Sequence, residues 1–370
     1  MVALRVAVWL LACWAASAAA ESEGVPATDD GRLRVEFRGR LALPDEAPDA
    51  DGTPVRITGL SGVAWLGDDR YVAVLDNSDT LLTFALDLSP AGKPLAIRDP
   101  RASRIGAVHD FEDVAVCPDA LRARIADRRT RSQRPDPGPC LLLAEEDTPA
   151  IRAVSQRGGE LLGIVPLPEV MKRRRPNRGP ESLAVDPDDG SIWTANEEAL
   201  ATDGPPPRAG GGTVVRLVRI PLPADPPRPP LQYAYAVDPP HAFVGVLAGE
   251  PFSGVTAIAA LGAGRLLVLE RSAGPGLPPF TARIHLVDTR RAADVATVDK
   301  DLAEHAGHRA DKRLLWEDTP GCNLEGLCLG PRLADGSRGL VAVADNGGLG
   351  TPSQLLGLAL VTPPPERKTP

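Results

Sequence analysis

The sequence predicts an all-β fold, and its repeats, its composition and its apolar runs all support this. A hairpin of two short apolar strands recurs five times along the 370 residues. The chain contains 39 prolines and only 4% aromatic residues, which disfavours long helices. Continuous apolar runs such as residues 141–144 are typical of strands that are buried on both faces.

The clearest copy of the hairpin spans residues 179–198, with an Asp-Asp-Gly turn between its strands. When the five copies are aligned, one residue of each stands at the head of the first strand: Ser61, Glu112, Glu181, Ser253 and Glu325. Pairs of mostly polar residues stand at the foot of the second strand: Asp76 and Asn77, Glu145 and Glu146, Asn196 and Glu197, Glu270 and Arg271, and Asp345 and Asn346. Because a hairpin places the start of one strand beside the end of the next, we expect these residues at one end of each unit.

Further apolar strands follow the hairpins, so that the copies predict units of four strands. The fifth copy supplies only three, and a spare strand at residues 33–43 fills the gap by pairing with residues 354–361. This pairing closes a ring without a long exposed edge. We therefore predict a single β-propeller over residues 32–362 with five four-stranded blades, closed by an N-terminal strand. The alternative is six blades, the sixth coming from weaker strands in residues 33–58 and the long loops.

The N-terminal segment predicts export. Residues 1–20 have the pattern of a signal peptide, with Arg5 before an apolar stretch and a small-residue cleavage site. The mature protein would then be periplasmic or secreted; the alternative is a lipoprotein that is acylated and anchored at Cys13. Residues 21–31 are predicted to be a disordered leader and residues 363–370 a proline-rich tail. We expect no transmembrane segment in the mature chain.

The charge indicates which partners the protein has. The formal net charge is -8, and it becomes one unit more negative once Arg5 is removed. An acidic protein offers no electrostatic basis for binding nucleic acid, so we expect cations or small molecules as ligands. We also expect the protein to be a monomer.

Four cysteines remain after the signal peptide, an even number that predicts disulfides in an exported protein. Cys117 and Cys140 stand at the base of one hairpin and are expected to form a disulfide bond. Cys322 and Cys328 would lie about 20 Å apart along a straight strand, so their pairing requires a bend and is left open.

The strand-head and strand-foot residues predict an acidic cation site. The first strand of every propeller blade lines the central channel, so these residues are expected to converge at one mouth. Carboxylates so close together cannot all ionise without a compensating charge. A divalent cation, with calcium the best match to an oxygen-rich set, would supply it. The alternative is a channel that is filled with water and paired amides.

Several of these segments resemble the phytase-like family, also described as "esterase-like activity of phytase". The resemblance covers nearly all of the mature chain. Its most recognisable parts are Asn-Leu-Glu-Gly at residues 323–326 and Leu-Glu-Arg at residues 269–271. The other matching segments are residues 59–64, 110–115, 177–184 and 344–346. The family implies a propeller fold and repeated acidic residues that serve a hydrolase of the phosphoesterase type.

This resemblance implies roles for individual residues. A metal held by Glu181, Glu325 and Asp345 would polarise a phosphoryl oxygen, and Arg271 would clamp the phosphate. The predicted catalytic residues are Glu112, Glu181, Glu325, Glu270, Arg271 and His109. The predicted substrate-binding residues are Arg178, Asp76, Glu145, Glu197, Ser61 and Ser253.

Two alternatives remain beside hydrolysis of phosphate esters. One is a calcium-dependent lactonase or arylesterase, and the other is a non-catalytic propeller that binds a ligand or partner through its funnel. A serine hydrolase is disfavoured because neither Ser61 nor Ser253 lies in a Gly-x-Ser-x-Gly elbow.

Overall fold

The computed structural model describes residues 32–128, 139–156, 159–222, 228–244, 249–345 and 352–362. The predicted signal peptide, leader and tail lie outside these residues. Three strands precede the first repeat: β1 (Arg34–Ala42), β2 (Glu46–Pro48) and β3 (Pro54–Arg56). The strands β2 and β3 pair only with each other.

Four blades of four antiparallel strands follow along the chain. Blade 1 contains β4 (Leu60–Gly67), β5 (Arg70–Leu75), β6 (Ser78–Leu88) and β7 (Pro94–His109). Blade 2 contains β8 (Phe111–Val116), β9 (Cys140–Glu145), β10 (Ala150–Ser155) and β11 (Leu161–Val165). Blade 3 contains β12 (Pro180–Val185), β13 (Ile192–Asn196), β14 (Thr213–Ile220) and β15 (Leu231–Val237). Blade 4 contains β16 (Phe252–Gly262), β17 (Arg265–Ala273), β18 (Phe280–Asp288) and β19 (Asp311–Asp318).

Blade 5 closes the ring with strands from both ends of the chain. It contains β20 (Asn323–Arg332), β21 (Arg338–Asp345) and β22 (Gln354–Val361), with β1 as its outermost strand. The register of β1 on β22 runs from Arg34 opposite Val361 to Ala42 opposite Gln354. Each innermost strand contacts the innermost strands of both neighbouring blades, so β4, β8, β12, β16 and β20 form a continuous ring. The predicted five-bladed propeller and its N-terminal closure are confirmed.

The hydrophobic core is divided among the five interfaces between blades. One cluster of buried apolar side chains lies at each interface. Alternate residues of one strand serve different clusters: in β17, Leu266 and Val268 face blade 3, whereas Leu267 and Leu269 face blade 5. This alternation explains why the central strands are continuously apolar, because both of their faces are buried.

Helices are short in the described part of the chain. They are α1 (Asp119–Arg128), a 3₁₀ helix at Glu169–Arg173 and α2 (Leu302–His305). Among the described residues, none of these is both long and apolar enough to cross a membrane.

The expected disulfide between Cys117 and Cys140 is not present. Both residues are buried free thiols, and each donates to a backbone carbonyl oxygen, Cys117 to that of Pro118 at 3.8 Å and Cys140 to that of Leu141 at 3.7 Å. The backbone N–H of Cys117 also donates to the carbonyl oxygen of Cys140 at 2.9 Å, so the base of the hairpin is held by the strand ladder. Cys322 and Cys328 are also free and belong to two different core clusters.

Candidate functional site

A β-bulge in each innermost strand presents the strand-head residue at the mouth of the channel. The register of every first hairpin shifts at this point, leaving one extra residue in the inner strand. The residues at these bulges are Ser61, Glu112, Glu181, Thr256 and Glu325. Four of them are the predicted head residues. In blade 4 the bulge places Thr256 there instead of Ser253, whose hydroxyl donates to the carbonyl oxygen of Asp238 at 2.6 Å.

Neighbouring residues at the foot of the second strand point to opposite faces of the blade. In blade 4, Arg271 faces Glu325 of blade 5, whereas Glu270 accepts a hydrogen bond from Tyr235 of blade 3 at 2.5 Å. In blade 2, Glu146 accepts the backbone N–H of Gly179 at 2.5 Å and faces blade 3. In blades 2 and 4 the mouth therefore receives only one member of the pair; Asn346, of the pair in blade 5, lies outside the described residues.

The other members of these pairs lie in separate ion-pair clusters. Glu145 is buried and contacts His109 Nδ1 at 2.9 Å and Arg152 Nε at 2.5 Å, on the side of blade 1. Glu270 contacts Lys312 Nζ at 2.9 Å. The structure therefore does not bring His109, Glu145, Glu270 or Ser253 into the central cluster.

Asp76, Asp110 and Glu112 form the densest group of carboxylates at the mouth. One oxygen of each lies within 4.8 Å of the others, and the hydroxyl of Ser61 donates to Glu112 Oε2 at 2.6 Å. Burial and the hydrogen bond to Asp110 raise the pKa of Asp76 to about 7. Asp110 Oδ1 is buried and has no hydrogen-bond partner among the described residues. This arrangement leaves negative charge that the surrounding side chains do not neutralise.

Glu181 connects this carboxylate group to the rest of the mouth. It hydrogen bonds to Glu112, and burial together with Glu112, Glu197 and Glu325 raises its pKa well above the ordinary range. Burial and the charge of Asp76 likewise raise the pKa of Glu112. Two carboxyl groups that share a hydrogen bond must hold a proton between them unless a cation replaces it.

Arg271 is the main counter-charge on the opposite side of the mouth. Its guanidinium bridges Glu197 and Glu325 and donates to Asn323 Oδ1 at 3.0 Å. Burial raises the pKa of Glu325 to about 8, although Arg271 opposes this rise. Asp345 also raises the pKa of Glu325 and accepts the backbone N–H of Gly59 at 3.1 Å.

Arg178 extends this network towards solvent. Its Nη1 contacts the second oxygen of Glu197 at 2.8 Å, and its side chain is 32% exposed. The ring of Phe252 contacts both guanidinium groups, with centroid distances of 4.4 Å to Arg178 and 5.6 Å to Arg271. Cation–π contact of this kind fixes the planes of both arginines at the rim.

Below the mouth, the innermost strands approach one another closely. A Cβ atom on Gly62 would lie 2.4 Å from the Cα of Asp113, and one on Gly326 would lie 2.7 Å from the carbonyl oxygen of Ser61. The fully buried carboxylate of Asp113 accepts backbone N–H groups of Val114 at 2.8 Å and Leu183 at 2.7 Å. Asp113 therefore fastens blades 2 and 3 together directly beneath Glu112.

Sequence reasoning did not select three residues that the structure places at or below the mouth: Asp110, Asp113 and Phe252. It placed Glu146 at the foot of a strand but gave it no role. The signal for Asp110 and Asp113 was present, because both belong to the acidic start of the second repeat. The aromatic role of Phe252 has no signal in the repeat alignment.

The carboxylates of Asp76, Asp110 and Glu112 fit a divalent cation. They supply oxygen donors from two neighbouring blades, and the unpartnered Asp110 Oδ1 is an available ligand atom. The predicted ligands Glu181, Glu325 and Asp345 do not form a comparably close group among the described residues, because Arg271 occupies one side of Glu325. The described residues contain one further close group, Asp238, Glu270 and His285.

The fold and this site define a closed five-bladed propeller with an acidic, cation-compatible mouth. The chain belongs to the phytase-like family, described as "Esterase-like activity of phytase", whose model matches residues 55–348. The match includes all five strand-head positions. No curated protein matches the chain.

Three solved structures resemble the chain at low sequence identity. A streptogramin B lyase is 12% identical with a TM-score of 0.31, over 89% of this chain and 98% of the lyase. A tail fibre of Staphylococcus aureus phage P68 is 11% identical with a TM-score of 0.39, over 89% and 53%. The PQQ-bound aldose sugar dehydrogenase of Streptomyces coelicolor is 12% identical with a TM-score of 0.38, over 90% and 100%.

Proposed function

We propose that this protein is an exported hydrolase of phosphate esters that depends on a divalent cation, with Ca²⁺ the best candidate. The observation that carries the proposal is the convergence of Asp76, Asp110 and Glu112, which leaves one buried carboxylate oxygen unpartnered. Membership of the phytase-like family supports the same reaction class. An acidic mouth would repel a phosphate by itself, so the cation is essential to this function.

Asp76, Asp110 and Glu112 would hold the cation. When bound, it would polarise a phosphoryl oxygen and lower the pKa of a water molecule. Ser61 fixes the orientation of Glu112 by donating a hydrogen bond at 2.6 Å. Because all three carboxylates are on rigid strand ends or short connections of adjacent blades, little rearrangement is needed to bind an ion.

Glu181 and Glu112 would supply the proton that the leaving group needs. Burial raises the pKa of both carboxyl groups, and the charge of Glu112 raises that of Glu181 further, so the protonated form of Glu181 is favoured. A carboxylic acid in this state can donate its proton to the leaving oxygen of an ester. Ionised Glu112 would then remain available to the cation, while Glu181 serves as the acid.

Arg178 would bring the anionic substrate to the mouth. It is the more exposed of the two arginines on Phe252, and Glu197 holds one edge of its guanidinium. Arg271 contacts two glutamates, so its main effect is to hold Glu197 and Glu325 in place. We therefore assign phosphate recruitment to Arg178 and organisation of the rim to Arg271.

The remaining parts of the proposal concern setting and partners. Export depends on the signal peptide predicted at residues 1–20, and it would give the protein access to calcium outside the cytoplasm. The substrate is a small molecule, and a monomer is sufficient because one ring of five blades supplies all of the residues named above.

A panel assay of the purified protein tests this function. Phosphomonoesters, phosphodiesters, aryl esters and lactones are offered with Ca²⁺ and with a chelator. We expect phosphate release that requires Ca²⁺ and falls at least about tenfold in Asp110→Asn. The matched control is Asp68→Asn, which removes the same charge from an exposed turn at the other end of blade 1; its backbone φ of 48° suits asparagine.

The outcomes of the panel separate the alternatives. Hydrolysis that is unchanged by the chelator and by Asp110→Asn contradicts the proposed site. Activity on lactones or aryl esters alone indicates the lactonase or arylesterase alternative. Tight Ca²⁺ binding with inactivity on the whole panel indicates a binding propeller.

A further inference from the structure

A second group of potential metal ligands lies outside the acidic mouth. It consists of Asp238, which follows β15, Glu270 on β17 and His285 on β18. One donor atom of each lies within 4.8 Å of the other two. His285 Nε2 is 3.2 Å from Asp238 Oδ2, and its Nδ1 is 3.6 Å from Glu270 Oε1. The group therefore combines one imidazole with two carboxylates.

His285 offers a free donor atom to this group. Its side chain is only 3% exposed, and its Nδ1 has no hydrogen-bond partner among the described residues. A buried ring nitrogen without a partner is unfavourable, because the protein has removed it from water without replacing the hydrogen bond. The nitrogen points at Glu270 from a distance that is too long for a hydrogen bond and suits a shared cation.

The carboxylate of Glu270 is held by neighbouring groups, as metal-binding carboxylates commonly are. The hydroxyl of Tyr235 donates to its Oε1 at 2.5 Å, and the backbone N–H of Asp238 donates to its Oε2 at 2.9 Å. Asp238 is 35% exposed at its side chain, which leaves an approach from solvent. The group thus has one ligand held in place, Glu270, one ligand atom without a hydrogen-bond partner, His285 Nδ1, and an approach from solvent at Asp238.

Lys312 supplies the counter-charge of this group. Its Nζ lies 2.6 Å from Asp238 Oδ1 and 2.9 Å from Glu270 Oε1, and 5.2 Å from the centroid of the Tyr235 ring. The lysine is 20% exposed and has a flexible stem, so its ammonium can move into water without disturbing β19. An ammonium between two carboxylates marks the position where a cation is stabilised.

We propose that Asp238, Glu270 and His285 form a second cation site, which takes a divalent transition metal that accepts mixed nitrogen and oxygen ligands, such as Zn²⁺, Mn²⁺ or Co²⁺, when Lys312 moves out. The imidazole nitrogen favours these metals over Ca²⁺, which prefers oxygen ligands. The bound metal would fasten Asp238 to blade 4. Because the chain continues from Asp238 to Phe252 at the rim, the site would stabilise the edge of the mouth but contribute no residue to the mouth itself.

Titration of the whole purified protein with Co²⁺ and Mn²⁺ tests this site. We expect Co²⁺ absorption bands of a nitrogen–oxygen site and nitrogen coupling in the pulsed EPR spectrum of bound Mn²⁺. Both signals should disappear in His285→Gln and persist in His109→Gln, the control for the other histidine beside a buried glutamate. Lys312→Met should bind at least about tenfold more tightly than wild type, because the competing charge is gone.

The result that overturns the proposal is clear even if His285→Gln does not fold. The group is only an ion-pair cluster if both wild type and Lys312→Met bind Mn²⁺ without nitrogen coupling. The same conclusion follows if neither protein binds Co²⁺. Nitrogen coupling that is lost in His109→Gln instead places the metal elsewhere. Neither outcome bears on the hydrolase proposed above, which depends on Asp76, Asp110 and Glu112.

Discussion

Replacing Glu325 with glutamine should change how the metal-free protein responds to pH. The pKa of this carboxyl group is raised from 4.5 to about 8 in the folded protein, chiefly by burial. Because the raised pKa belongs to the folded state, the stability associated with the proton is fully present below about pH 4.5. It is lost as the pH rises towards 8. The difference between the two pKa values, at about 1.4 kcal/mol per pKa unit, gives an upper limit of about 5 kcal/mol for this loss of stability.

The variant Glu325→Gln lacks this titration, although it also loses the ion pair with Arg271. The pKa of about 8 already includes the attraction of Arg271, and that ion pair forms only as Glu325 ionises, so the comparison concerns the slope and not the level. We expect the free energy of unfolding of wild type to fall more steeply from pH 5 to pH 8 than that of the variant. Urea unfolding in the presence of a chelator measures both. Glu46→Gln, at an exposed position, is the control and should run parallel to wild type. Parallel curves for Glu325→Gln and wild type would refute the buried, proton-retaining carboxyl group.

Two further predictions concern the ring itself. Deleting residues 33–43 should leave the edge of β22 unpaired and cause aggregation on size-exclusion chromatography; a monomeric, equally stable variant would contradict the closure. Asp113→Asn should lower the free energy of unfolding by about 1–3 kcal/mol, because the amide cannot accept all of the buried N–H groups that the carboxylate does. Urea unfolding beside the Asp68→Asn control measures this change, and equal losses in both variants would contradict the role of Asp113.

Most of the fold could be predicted from the sequence because every blade repeats the same local pattern. The last copy lacks a fourth strand, so the pattern of apolar strands and turns predicted a ring that residues 33–43 close. The pairing of β1 with β22 forms this closure. The disulfide could not be judged in the same way. Two cysteines at the base of a hairpin are close whether or not they are bonded, and Cys117 and Cys140 are free.

The site was predictable in outline but not in detail. A one-residue difference decides which face of a strand a side chain occupies, and the alignment could not resolve it where two polar residues are adjacent. Both members of each pair were therefore expected at the mouth, whereas Arg271 and Glu146 face it and Glu270 and Glu145 do not. In blade 4 the alignment matched Ser253 with Ser61, whereas the bulge lies three residues further along at Thr256, in a stretch where no carboxylate marks the position.

The central claim is that Asp76, Asp110 and Glu112 bind a divalent cation at the channel mouth, and an anomalous difference map from a crystal grown with Ca²⁺ tests it most directly. We predict a peak about 2.3–2.6 Å from carboxylate oxygens of all three residues, including the now unpartnered Asp110 Oδ1. A map with no peak at this position, at a Ca²⁺ concentration that saturates any binding in solution, would contradict the claim. A peak bound only by Glu181, Glu325 and Asp345 would contradict it as well.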